Sequence, residues 1–225
     1  MLQQGLAALL ILVSSSSLAQ DFFNTDSCGQ SLGCWTFPTN CKPEECHGIV
    51  RWRVEGDKIH LDLQAKDLDN SVDVGRYISV GISEDAIMDN DTVIECIFKG
   101  GKTVDTFISY NDHHDNVQLY DASTNLLELV SGARHDERMM CQVILDYGNL
   151  RKVQEGERET VKDIREGEWV LIFAQGAADL KTGEKYMHSY YPWSTQELVQ
   201  FCADCDRSVT VVERTFPQRA RRMRK

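Results

Sequence analysis

GIVRWRVEGDKIHLDLQAKD, residues 48 to 67, alternates apolar and polar side chains on both sides of Glu55-Gly56-Asp57. A period of two puts one set of side chains on each face of an extended strand. A glycine-centred polar break between two such runs reads as a hairpin. The same texture recurs on the C-terminal side. RYISVGIS, TVIECIF, TVDTFISY, NLLELVSG, RMMCQVILDY and EWVLIFAQG are further strand-like runs with turn residues between them. Helical periodicity is scarce, and TQELVQF supports one or two turns at most. Many short strands joined by polar turns predict an all-β antiparallel sandwich.

The chain has 225 residues, 42% hydrophobic and 26% charged, the composition of a folded protein with a sizeable core. Residues 1–19 have a short apolar run, four serines and small residues at the cleavage positions, and read as a signal peptide. No later run reaches 18 apolar residues, so no membrane span is expected. A secreted or extracellular protein follows.

That compartment decides how the eight cysteines are read. Cys28, Cys34, Cys41, Cys46, Cys96, Cys141, Cys202 and Cys205 are expected to be disulfide-bonded. Spacing leaves their connectivity open among 105 pairings. Zinc held by the first four with His47 is the rival reading. Residues 20–47 form a polar, cysteine-rich N-terminal arm, residues 48–206 the β-sandwich and residues 207–225 a basic tail.

The net charge of −11 conceals an asymmetry. Arg214, Arg219, Arg221, Arg222, Arg224 and Lys225 supply six positive charges near the C-terminus; without them, 18 basic residues face 35 acidic ones, a balance of −17. An acidic body does not favour nucleic acid. The basic tail could take a sulfated glycan electrostatically. Its Arg219-Ala220-Arg221-Arg222 also has the spacing of a furin-type processing site.

GRYISVGISEDAIMDNDTVIECI, residues 75 to 97, resembles the signature of the DOMON domain: an aromatic-containing strand ending in G-x-S, a loop methionine, then an acidic residue opening the next strand. LYDASTNLLELVSGARHDERMMCQVIL and GEWVLIFAQGAAD with the later KYMHSYY are similar to that family's later strands, in order. CGQSLGCWTFPTNCKPEEC resembles the arm that precedes DOMON in ferric-chelate reductase 1-like animal proteins. The resemblance spans roughly residues 28 to 202. It implies an immunoglobulin-like β-sandwich that binds haem b or a sugar-like ligand. It also implies iron ligation by the loop methionine, Met88, and a late histidine, His188. Related reductases continue into a transmembrane cytochrome core that this sequence does not contain, so reductase activity across a membrane is not expected.

A thioether and an imidazole would leave iron six-coordinate at raised potential, which suits electron transfer rather than substrate chemistry. Met88 and His188 are then expected on two loops at one end of the sandwich. Tyr186, Tyr190, Tyr191 and Trp193 could wall the pocket. The bland alternatives are that Met88 caps the core with Ala86 and Ile87, and that His188 hydrogen-bonds a backbone carbonyl. The haem would be non-covalent, because Cys202-Ala203-Asp204-Cys205 is followed by Asp206 rather than histidine. His113 and His114 fit a copper or zinc site or a polar hairpin tip. Asp67, Asp69, Ser71 and Asp73 alternate like the start of a calcium loop, but Val72 and Ile78 stand where an EF-hand needs Gly and Glu. Asn90-Asp91-Thr92 is a glycosylation sequon. No hydrolase constellation is present. The sequence predicts a haem b electron-transfer module with a redox partner protein or membrane cytochrome, rather than a self-sufficient enzyme. The rivals are a haem-free DOMON domain for a carbohydrate or small apolar ligand, and a structural matrix protein.

Overall fold

In the computed structural model, described over residues 24–68, 73–100, 103–135, 137–188 and 190–201 with the backbone of 213–214, the 48–67 hairpin forms as its alternation requires. Strand β2 (Gly48–Glu55) pairs with β3 (Lys58–Lys66) across a turn at Gly56, whose φ of 60° is a left-handed conformation that suits glycine. The expected signal peptide, Cys202, Cys205, Asp69, Ser71 and residues 215–225 lie outside the described residues.

Two antiparallel sheets result. The first has the order β1-β2-β3-β9-β8, where β1 is Gly33–Phe37, β8 Leu127–His135 and β9 Arg138–Asp146. The second has the order β12-β11-β10-β4-β5-β6-β7. Its strands are β4 (Gly75–Ser83), β5 (Asp91–Phe98), β6 (Val104–Asp112), β7 (Asp115–Leu119), β10 (Val170–Ala178), β11 (Trp193–Thr195) and β12 (Glu213–Arg214). Their facing sides interleave Ile59, Leu61 and Leu63 of β3 and Val143 and Leu145 of β9 with Ile78, Val80 and Ile82 of β4 and Ile94 and Phe98 of β5. Each such side chain contributes roughly 1.5–3 kcal/mol on burial.

The Cys96–Cys141 disulfide joins β5 to β9, and so ties one sheet to the other through the middle of the core. Cys28–Cys34 and Cys41–Cys46 close two small loops in the arm. The bonded sulfurs leave no zinc ligand set of Cys28, Cys34, Cys41 and Cys46.

The boundary at residue 48 needs correction. Within the cysteine-rich arm, Gly33–Phe37 pairs with β2 along its whole length and is a strand of the sandwich. The reason is apolar: Trp35 and Phe37, two residues apart, both bury completely. Phe37 lies 4.9 Å from each of Trp35, Phe173 and Trp193 between ring centroids. At the other boundary, Glu213 and Arg214, assigned by sequence to the tail, add a backbone strand beside β11. The helices also fall elsewhere than expected. TQELVQF is not helical, and Val199 within it bridges to Trp169. Instead, α1 (Tyr120–Leu126), a 3-10 turn (Tyr147–Lys152) and α2 (Glu155–Arg158) connect the strands.

The inter-sheet disulfide closes a span of 45 residues. Replacing both Cys96 and Cys141 by alanine should lower the unfolding free energy by roughly 4 kcal/mol, read as a shift in the urea midpoint. An unchanged midpoint would show that packing alone holds the sheets together.

Candidate functional site

β4 and β10 pair residue for residue from Val170 opposite Ser83 to Ala178 opposite Gly75. This seam has two ends, and the two expected iron ligands leave it in opposite directions. The Met88 loop, residues 84–90, follows Ser83. At that end Lys162 pairs with Glu84 at 2.7 Å, and Asn90 N–H donates to the Asn111 carbonyl. Beyond Ala178 the chain turns at the other end, where Lys185 bridges back to Ala178 and Tyr186 N–H donates to the Ala177 carbonyl. His188 follows three residues later. The Tyr190 hydroxyl donates to the Leu68 carbonyl, on the connection that enters β4 at Gly75.

The seam's nine pairs span roughly 26 Å at strand pitch. The Met88 loop and the turn that leads to His188 thus leave the seam at opposite ends, and from Lys185, opposite Ala178, the chain runs back beside β10 to Trp193, opposite Phe173.

Each residue has its own setting. Met88 is half-buried beside exposed Ile87. Asp89 accepts from the His113 backbone N–H at 2.9 Å, and its other oxygen lies 3.3 Å from His113 Nδ1. The backbone hydrogen bond from His113 holds the Asp89 carboxyl below its usual range. Asp89, Asp112 and His113 bring their ligand atoms within 4.8 Å of one another, all exposed. His113 and His114 form the hairpin tip between β6 and β7, as the polar-turn reading expects. Asn90 of the sequon is exposed and accepts from the Tyr110 hydroxyl. Asp67 is a buried partner of Arg76 and Arg134, so it is committed to an ion-pair network rather than to calcium.

His188 Nδ1 lies 2.7 Å from the Tyr190 carbonyl oxygen. The bland reading of His188 thus holds in its geometry. The same bond fixes the ring and puts the donor hydrogen on Nδ1, leaving Nε2 as the lone-pair nitrogen, the usual preparation of a metal-binding imidazole. Around it Tyr186, Met187, Tyr190 and Tyr191 are exposed, whereas Trp193 turns inward against Phe37 and edges on His47. The expected aromatic wall is therefore split: three tyrosines face solvent and the tryptophan joins the core.

One anchoring pair was not expected from sequence. Lys185 Nζ pairs with Glu95 Oε2 over the Tyr77 ring, and Gln118 Nε2 donates to Glu95 Oε1 at 2.9 Å. Burial, then the Glu95 charge, pushes the Tyr77 phenol up. Glu95 is fully buried on the sheet's outer face, so Lys185 fastens the chain after β10 across that face. A signal was present: a carboxylate inside TVIECIF must find a cationic partner if the strand is buried.

No family model matches the chain. It is 27% identical over 159 residues to the "Putative ferric-chelate reductase 1 homolog" of Drosophila melanogaster, covering 68% of this chain and 22% of that protein. Among solved structures it matches the cytochrome domain of cellobiose dehydrogenase from Myriococcum thermophilum, with a TM-score of 0.50 over 84% of this chain and 89% of that one. The chain is DOMON-like. At 12% identity the second likeness is one of fold, and the chain spans about a fifth of the reductase homolog's length. No helix among the described residues is long and apolar enough to cross a membrane.

His47 supplies a pH-dependent check on the core beneath the aromatic segment. Burial, then Lys66, pushes its pKa below the ordinary 6.5. The folded state therefore resists protonation, and stability present above the unfolded value is lost as pH falls through it toward the folded value. The wild type should be more stable at about pH 7.5 than at about pH 5.5, and His47→Gln should flatten that step. A wild type that gains stability on acidification while His47→Gln does not would reverse the sign and contradict the assignment.

Proposed function

We propose that this chain is an extracellular DOMON-like module of a redox system, and that it binds its ligand or partner through the aromatic segment after β10. The observation that carries this reading is the setting of His188. Its imidazole is held by the Tyr190 carbonyl in a strip of exposed tyrosines and methionine, on a segment clamped to the sheet by Lys185 and Glu95. Concentrated aromatic surface of this kind is what interfaces and ligand clefts use. Disulfides in the arm and across the core support an oxidising compartment. The redox context is supported by the reductase homolog and by the cytochrome domain that shares the fold. The loops of Met88 and His188 leave the β4–β10 seam at opposite ends, and no electron-transfer step is derived through that pair.

A haem b electron-transfer module is the second reading. The cytochrome domain of like fold favours it, as does the prepared Nε2 of His188. Haem would supply one-electron carriage, and His188 is the residue able to hold it, with Tyr186, Met187 and Tyr190 beside the ring.

Absorption spectra of the secreted protein expressed with haem supplied, oxidised and dithionite-reduced, separate the two. The leading reading expects no Soret band. A Soret band lost in His188→Ala and retained in Met88→Ala would establish the second reading with His188 as its ligand. A band that needs both residues would show that the two loops meet over one haem.

A further inference from the structure

The Met88 loop ends on a group that the proposed function leaves unused. Asn90-Asp91-Thr92 is the one N-x-S/T sequon in the sequence, and it straddles the step from the loop into β5. Asn90 is exposed. The Tyr110 hydroxyl donates to its Oδ1 at 2.9 Å, which fixes the amide against β6, and no described residue bonds its Nδ2. Its φ of 57° suits asparagine or glycine, and of the two only asparagine brings a side-chain amide that can be modified. Thr92 is placed in the opposite way. It buries completely, its hydroxyl donates to the Thr160 carbonyl at 3.1 Å, and the Lys162 N–H donates to that hydroxyl at 2.9 Å.

We propose that Asn90 carries an N-linked oligosaccharide, and that the sugar is attached before β5 closes against residues 160–162. In the transfer, Asn90 Nδ2 attacks the anomeric carbon of a lipid-pyrophosphate-linked oligosaccharide. The new C–N bond replaces the C–O bond to pyrophosphate, the lipid pyrophosphate leaves with that electron pair, and the amide gives up one proton. The enzyme that catalyses this step recognises the sequon hydroxyl on a free, extended segment. In the folded chain that hydroxyl is buried and both of its bonds are internal, so the finished fold is not a substrate. Thr160 follows Thr92 by 68 residues, so a growing chain presents the whole sequon before the residues that cover it exist. Asn90 stays at the surface when β5 closes, and the fold takes the sugar without moving a buried group. The inference rests on the extracellular part of the proposed function, since this transfer belongs to the secretory route. The three disulfides support that route.

The oligosaccharide has a consequence for recognition. Asn90 N–H donates to the Asn111 carbonyl, and Asp89 beside it holds the His113 backbone. A bulky, hydrated chain rooted there stands over both the Met88 loop and the β6–β7 turn. It keeps a protein partner off this end of the sheet, and recognition falls to the aromatic segment after β10.

The full chain expressed in secreting mammalian cells tests the site. Protein taken from the medium, denatured and treated with peptide N-glycosidase should lose the mass of one oligosaccharide, and its residue 90 should then read as aspartate in peptide mass spectra. Asn90→Asp, which keeps a residue tolerant of the left-handed turn, should be secreted without the sugar, and Thr92→Ser should retain it. Should either variant not fold, the glycosidase result on the unaltered chain decides alone. In a microsomal transfer assay, chain made in bacteria should accept the sugar when unfolded and refuse it once refolded. Protein in the medium whose mass the glycosidase leaves unchanged overturns the site while the extracellular reading stands. Protein confined to the cytosol overturns both. Equal acceptance by the folded and unfolded chains overturns the order of events.

Discussion

Nine consecutive residue pairs join β4 to β10, and this seam fixes what the rest of the second sheet can do. It stands in the middle of the seven-stranded order, with the Met88 loop at one end and the turn toward His188 at the other. Everything lateral is then hung from it: β5 to β7 on one side, and β11 with the aromatic segment on the other. The first sheet is locked against this arrangement by the Cys96–Cys141 bond and by the Phe37, Phe173 and Trp193 rings. A backbone ladder cannot shift by one residue without turning its buried face outward. The seam is therefore the least adjustable feature near the candidate site.

Much of this was legible in the residues. The alternation on both sides of Gly56 gave the β2–β3 hairpin, and the apolar runs gave β4, β5, β6, β9 and β10 close to their observed bounds. The resemblance carried the sandwich class and the order of segments. What could not be read was which end of the sheet each loop occupies. If every connection from β4 to β10 were a simple reversal, the loops after those two strands would share an end. The chain departs from this between β7 and β8. There α1, seven residues and roughly 10 Å of rise, carries the chain back so that β8 starts at the end where β7 began. A helix of seven residues with three of them buried leaves little periodic signal, and one such element inverts the placement of every later loop. The first strand was hidden for a different reason. Cysteine and proline density marked residues 28–46 as irregular, while Trp35 and Phe37 were supplying core.

The same geometry explains why the site looks divided. Sequence placed a methionine, a histidine and an aromatic cluster together as one pocket. The structure separates them into a polar loop tied to the His113 turn, a tryptophan inside the core, and a strip of tyrosines around a fixed imidazole. Of these, the strip is the surface with both exposure and rigidity. Its rigidity comes from Lys185, whose buried partner Glu95 would be left as an uncompensated charge if the segment lifted away. A surface held in this way suits recognition, since little ordering remains to be done on binding. The chain is similar in sequence to a reductase homolog and in fold to a cytochrome domain.

The claim on which this account rests is the separation of the two expected ligands. A crystal structure of the protein grown with haem supplied measures it directly, as the distance from Met88 Sδ to His188 Nε2. The account predicts two atoms too far apart to share one iron, because their loops leave the β4–β10 seam at opposite ends. A separation near 4–5 Å with iron between the two atoms would contradict it.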